Sequence, residues 1–128
     1  MNDFFLYKLV FEGLVDIKKV VIIGSGTMGS GIAAQVANAN IPVFLLDLPY
    51  SEGSRNLIVE KAKERILNSK PPLLIERSKI NLISAGNIED NFDLIGEADW
   101  VIEAVVERIN IKKNIYKKIE EVRKKDSI

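Results

Sequence analysis

The sequence contains no cysteine and no histidine among its 128 residues. Without cysteine there are no disulfides, no thiolate chemistry and none of the common zinc sites. Without histidine, the commonest general base and metal ligand at neutral pH are both missing. If a reaction uses an imidazole to take a proton from an alcohol, that base lies outside this sequence. Excess charge of one sign is absent too, since 18 Lys and Arg face 18 Asp and Glu. That balance argues against wholesale binding to nucleic acid or to a membrane surface. No apolar run reaches the length a bilayer requires. The opening residues, Met1 to Lys8, lack a basic leader and a small-residue cleavage site, so no secretion signal is expected and the cytoplasm is the default compartment. Internal repeats and low-complexity tracts are also missing, and the length fits one domain with a modest core.

What is present is concentrated between Val20 and Asp47. An apolar strand, Val20-Val21-Ile22-Ile23, runs into Gly24-Ser25-Gly26-Thr27-Met28-Gly29. A helix-forming stretch from Ser30 to Ala39 follows, and a second apolar strand, Val43-Phe44-Leu45-Leu46, delivers Asp47. A G-x-G-x-x-G triplet alone is weak evidence, but here the strand, helix, strand and acidic residue that give it meaning are all in order. Gly24 permits the tight turn off the strand, Gly26 lets a pyrophosphate approach the backbone, and Gly29 lets the helix pack closely on the strand. The helix would turn its free N–H groups and the positive end of its dipole to the phosphates. Asp47 can accept the hydroxyls of an adenosine ribose and would repel a 2′-phosphate, which favours NAD over NADP. A glycine turn followed by an Asp helix cap is the plainer alternative.

The remaining chain reads as strand, helix, strand, helix, strand, short helix, strand, helix, the pattern of a parallel α/β sheet with flanking helices. Strands are expected at about Lys19 to Ile23 and Val43 to Leu46, with Pro42 placed just before the second. Between Gly53 and Ser69, Leu57, Ile58, Ala62, Ile66 and Leu67 recur at helical spacing before Pro71-Pro72. Ile80-Asn81-Leu82-Ile83 suggests a third strand. Asp90 to Ile95 suggests a helical turn ended by Gly96, and Asp99 to Ala104 a fourth strand with Trp100 in the core. Ile111, Ile115, Ile119 and Val122 mark the buried face of a last helix. Its lysines and arginine read as a solvated face, with Glu120 and Glu121 placed to pair with Lys124 and Lys125. Phe4 to Phe11 is too apolar for a free tail, and periodicity does not decide between strand and helix.

A Rossmann-type domain normally has about six strands in the order 3-2-1-4-5-6. This sequence supplies the first half and the opening of the second, and a fifth strand would be starting at Asp126-Ser127-Ile128. The expectation is therefore a fragment truncated before the later strands, with residues 1–18 as an N-terminal extension and 19–128 as an incomplete nucleotide-binding domain. The fourth strand would then be an exposed edge, covered by the N-terminal segment or by a second copy in a homo-oligomer.

With these residues in view, the sequence resembles the NAD-binding domain of 3-hydroxyacyl-CoA dehydrogenases. The first matching block runs from Lys19 through the glycine turn to Ala33 and is shared by many dehydrogenases. The second is more specific: Ala98-Asp99-Trp100-Val101-Ile102-Glu103-Ala104-Val105-Val106-Glu107, then Ile111-Lys112-Lys113. The segments from Lys61 to Pro72 and from Asn81 to Asp90 are similar to the long fatty-acid-oxidation members that carry a hydratase-like domain. Only residues 1–18 fall outside the resemblance.

The resemblance implies cofactor contacts from Gly24, Ser25, Gly26, Thr27, Met28 and Gly29, from Asp47 and Leu48, and from Ala104, Val105, Glu107 and Lys112. Glu107 and Lys112 would lie near the nicotinamide ribose; a helix-start acid and a surface lysine are the plainer reading of that pair. Glu103 is expected to be a structural carboxylate. The family's catalytic groups, an Asn-Thr-Ser segment, a His–Glu pair and a further Asn, lie beyond residue 128, as does the helical domain that closes over the acyl group. The implied partner is an acyl-CoA. Lys61, Lys63, Arg65, Lys70 and Arg77 could steer its phosphates or simply line a solvated face. This part alone is expected to bind cofactor, weakly and mainly through the ADP half, without catalysing. A stand-alone NAD-binding or interaction module is one alternative. A dehydrogenase of the 3-hydroxy acid or sugar acid type, often using NADP, is another.

Overall fold

Residues 17–104 and 117–128 are described by a computed structural model of the chain. Strand β1 (Val20–Ile23) is buried along its whole length. That is why its sequence is a continuous apolar run rather than an alternation, since a parallel strand covered on both faces has no polar side. Strand β2 (Val43–Asp47) pairs with β1 in parallel, Val20 opposite Val43 and Ile23 opposite Leu46. Strand β3 (Ile83–Asn87) adds to β2, and β4 (Trp100–Glu103) lies on the other side of β1. The order is β3-β2-β1-β4, all parallel, the leading part of the order expected from the sequence.

Side chains leave the sheet alternately. Val20, Ile22 and Leu45 join a core built with Ala33, Val36 and Ala37 of helix α1 (Thr27–Asn38) and Val59, Ala62 and Ile66 of helix α2 (Leu57–Leu67). Val21, Ile23 and Leu46 face the other way, against Ile95, Ala98 and Ile119. Ile119 lies in the helical stretch 117–122, and Val122 packs beside it, as the spacing indicated. Helix α1 ends where Asn40 takes a positive φ of 64°, a conformation asparagine tolerates better than most residues. Trp100 is buried, and Ile17 joins the first core cluster just ahead of Lys19.

The third strand lies later than its sequence pattern suggested. Residues Arg77–Leu82 form a 3-10 helix, and β3 begins only at Ile83. Ser84, Ala85 and Gly86 are poor strand formers, but a Cβ at Gly86 would lie 2.6 Å from Leu46 Cδ2 and 2.8 Å from Asn91 Oδ1. Close packing, rather than local propensity, sets that strand. The turn expected at Asp90 to Ile95 is a 3-10 helix at Phe92–Glu97. Gly96 lies inside it instead of ending it, and a Cβ there would come within 3.1 Å of the Val122 carbonyl oxygen.

At the N-terminal end of the sheet, the amides of Lys18 and Lys19 donate to Asp99 Oδ2 at 3.0 and 3.2 Å. Lys124 Nζ reaches Asp99 Oδ1 at 3.0 Å. Lys124 therefore takes Asp99 rather than its helical neighbour Glu120, which bonds Arg123 at 3.2 Å. Burial would raise the Asp99 pKa, but the bonds from Lys124, Lys18 and Lys19 outweigh it and hold the carboxyl below its ordinary range. Beyond Asp99, Ile128 N–H donates to Asp99 O at 3.1 Å and Val101 N–H donates to Ile128 O at 2.8 Å. Those two bonds are the rungs of a parallel ladder, so part of the β4 edge is met by Ile128 of the same chain. The apolar N-terminal segment offered as a cover, like Ile111 and Ile115, lies outside the described residues.

Candidate functional site

The C-terminal ends of β2, β1 and β4 meet at one place. Gly24 N–H donates to Leu46 O and Ala104 N–H donates to Ile23 O, both at 2.7 Å. Immediately after β1 the chain turns sharply, with Gly24 at φ 109°, a region that costs glycine little and other residues much. The turn feeds α1, whose cap residue Gly26 is extended and provides no side-chain hydrogen bond. The opening N–H groups of α1 thus remain open to a ligand.

The turn is held from below. A Cβ on Gly29 would overlap the Gly24 carbonyl oxygen, lie 2.9 Å from its carbon and come within 3.6 Å of Ala104 Cβ. Gly29 is therefore the point where helix and strand touch, with Ala104 beside them. At Gly26, by contrast, an added Cβ meets nothing within 4 Å. Space remains above the turn where a phosphate could come against the backbone.

Asp47 ends β2 facing this turn. Its Oδ2 accepts the Ser25 N–H at 2.8 Å and the Ser25 hydroxyl at 2.6 Å, and its Oδ1 accepts the Leu48 N–H at 2.7 Å. Among the described residues no lysine or arginine pairs with it. Met28 and Leu48 are exposed at the rim. Gly24, Ser25, Gly26, Thr27, Met28, Gly29, Asp47, Leu48 and Ala104 therefore gather at one end of the sheet. Val105, Glu107 and Lys112 lie outside the described residues.

Two supports of the turn were not read in that role from sequence. The Ser25 carbonyl accepts the Ser30 hydroxyl at 2.8 Å and Arg65 Nη2 at 3.0 Å. Ser30 directly follows the motif, a faint cue, whereas the reach of Arg65 from α2 has no local signature. Arg77 similarly donates to Leu67 O at 3.0 Å. Two of the five cations considered for phosphate steering are thus engaged with backbone carbonyls. At the end of β3, Asn87 is buried and bonds Asn56 at 2.8 Å and Asp90 at 3.0 Å, while Arg55 bonds Asp90 and Glu89, each at 2.7 Å. The hydrogen bonds from Arg55 and Asn87 lower the Asp90 pKa. This knot fastens the loop before α2 to β3.

A parallel sheet ordered 3-2-1-4, a glycine turn opening a helix, and a carboxylate at the end of the next strand define a dinucleotide-binding Rossmann domain. The family model for the 3-hydroxyacyl-CoA dehydrogenase NAD binding domain matches residues 19–128. The chain belongs to that family, and NAD is the family's cofactor. It is 41% identical over 113 residues to a Deinococcus radiodurans protein carrying the name 3-hydroxyacyl-CoA dehydrogenase, a match covering 88% of this chain and 33% of the relative. It is 46% identical over 114 residues to a Rickettsia felis protein named as a fatty acid oxidation complex trifunctional enzyme, with 88% and 16% covered. Among solved structures it resembles 3-hydroxybutyryl-CoA dehydrogenase from Escherichia coli, at 29% identity and a TM-score of 0.70, covering 89% of this chain and 24% of that one. The chain thus spans a third or less of the length of these relatives. Among the described residues no helix is long and apolar enough to cross a membrane.

Proposed function

We propose that this chain holds NAD across the turn after β1, as the cofactor portion of an enzyme that oxidises 3-hydroxyacyl-CoA to 3-ketoacyl-CoA. The observation that carries the reading is the approach of Asp47 to the glycine turn, 2.8 Å from the Ser25 amide, with open space at Gly26. One group suits a ribose and the other a pyrophosphate. Gly24, Ser25, Gly26, Thr27, Met28 and Gly29 would surround the pyrophosphate, with Asp47 and Leu48 at the adenosine ribose. Ala104 and Val105 would line the far side, and Glu107 and Lys112 would lie by the nicotinamide ribose.

When bound, NAD supplies the acceptor for the hydride leaving C3 of the acyl chain. The residues of this chain bind and orient it. Removal of the hydroxyl proton falls to a base outside residues 1–128, where no histidine is found. This chain alone is therefore expected to bind the cofactor without turning over substrate. A cytoplasmic location belongs to this reading, in keeping with the cysteine-free sequence. A homo-oligomer, formed through the part of the sheet edge that Ile128 leaves open or through the N-terminal segment, is a further part of it, tested by light scattering, where a monomer at all concentrations would exclude it. No nucleic-acid or membrane partner is invoked.

Parallel calorimetric titrations with NADH, ADP-ribose and NADPH test the proposal. NADH and ADP-ribose should bind alike, and NADPH more weakly by about tenfold, or 1.4 kcal/mol. Tighter NADPH would point instead to a dehydrogenase of the 3-hydroxy acid type. No binding of any of the three would remove the cofactor role.

A further inference from the structure

Ser25 is buried, and it spends both its amide and its hydroxyl on one oxygen of Asp47. The Leu48 amide takes the other oxygen. An ionised carboxylate has about four lone-pair positions. Three are filled here, and the open one is on Oδ1. A ribose presents two adjacent hydroxyls, and a carboxylate that holds both offers one oxygen to each. Oδ2 cannot take its share while the Ser25 hydroxyl remains on it.

The backbone of Ser25 is not free to withdraw. Its carbonyl is held by Ser30 Oγ at 2.8 Å and by Arg65 Nη2 at 3.0 Å, and its own amide stays on Asp47. Rotation about χ1 is the one small movement that clears the hydroxyl and leaves those bonds intact. We infer that the Ser25 hydroxyl is a latch on Asp47: it fills the second ribose position of the carboxylate in the free protein, and must rotate away before both ribose hydroxyls can be held. The inference rests on the cofactor reading proposed above. It makes Ser25 a residue that sets affinity for a vicinal diol, by competing for the same acceptor.

The test compares wild type, Ser25→Ala and Ser25→Thr in titrations with ADP-ribose and with 2′-deoxy-ADP-ribose. Removing the latch should tighten ADP-ribose by about three- to tenfold, the worth of one hydrogen bond no longer lost on binding. Threonine keeps the hydroxyl and should show no gain for ADP-ribose relative to the 2′-deoxy ligand. The gain should vanish with the 2′-deoxy ligand, which needs only one carboxylate oxygen. A residue that merely supported the turn would, when truncated, weaken both ligands together. Should Ser25→Ala fail to fold, Ser25→Gly removes the same hydroxyl. Wild-type binding with no gain on truncation, or an equal gain for both ligands, overturns the latch alone. Failure of the wild type to bind ADP-ribose overturns the cofactor reading and the latch with it.

Discussion

A methyl group added at Gly29 would run into the carbonyl of Gly24, whereas one added at Gly26, in the same turn, would meet nothing within 4 Å. Gly29 is small because the protein itself fills the space. Gly26 has no such reason within the protein, and on the proposed cofactor reading a ligand that must come close supplies one. The two carboxylates at opposite ends of the sheet repeat the contrast. Asp99 joins the starts of β1 and β4 and is neutralised by Lys124. Asp47 receives comparable amide bonds at the other end, but no cation among the described residues balances it. One end of the sheet is closed by its own chain, and the other is left with unspent donors and charge. The difference separates what holds the fold together from what the fold presents.

The contrast can be broken at several points. The largest expected effect is that of Gly29→Ala, because helix and strand must move apart to admit the methyl. Urea unfolding should show a loss of about 3 kcal/mol, the upper end of overpacking costs. A loss below about 0.5 kcal/mol, the level of an ordinary surface change, would mean that the contact is not tight. Asp47→Ala removes a charged acceptor from the open end. It should weaken NADH by about 1.5–3 kcal/mol, as for a hydrogen bond to a charged group, and reduce the preference over NADPH. An unchanged NADH to NADPH ratio in paired titrations would remove Asp47 from the ribose site.

Asp99→Asn probes the closed end and should cost about 1 kcal/mol at neutral pH, with no change in cofactor affinity. Its pH dependence has a definite sign. The Asp99 pKa is lowered in the folded state, so its stabilisation is complete above the unfolded carboxyl value of about 3.9. It is lost as pH falls through the lower folded value. Stability curves of wild type and Asp99→Asn should therefore converge below about pH 4. Curves that stay parallel down to acid unfolding would show that the carboxylate charge is not what joins the strands.

The open end was legible in the sequence because its signals are local. Val20 to Ile23 and Val43 to Leu46 are continuous apolar runs with Gly24 and Pro42 as punctuation, and Asp47 follows directly. The helix at 57–67 showed its buried face through Ala62 and Ile66. The features that were not legible depend on residues distant in the chain. β3 is displaced because Gly86 fits under Leu46 and Asn91, which no window around Ile80 to Ile83 contains. Lys124 chose Asp99 over an adjacent glutamate, a choice made by the strand order. Arg65 reaches Ser25 only after α2 has packed on the sheet. Local pattern thus located the glycine turn, while its support came from tertiary contacts.

The most direct test of the division between the two ends is Gly26→Ala, with unfolding and NADH titration measured on the same preparation. The backbone at Gly26, φ −67° and ψ −165°, is open to alanine, so stability should stay within about 0.5 kcal/mol of wild type. NADH affinity should nevertheless fall by about tenfold or more, because the methyl would stand where the proposed site brings the pyrophosphate. A variant as stable as wild type that binds NADH equally well would contradict the account, leaving the empty space at Gly26 without a ligand to explain it.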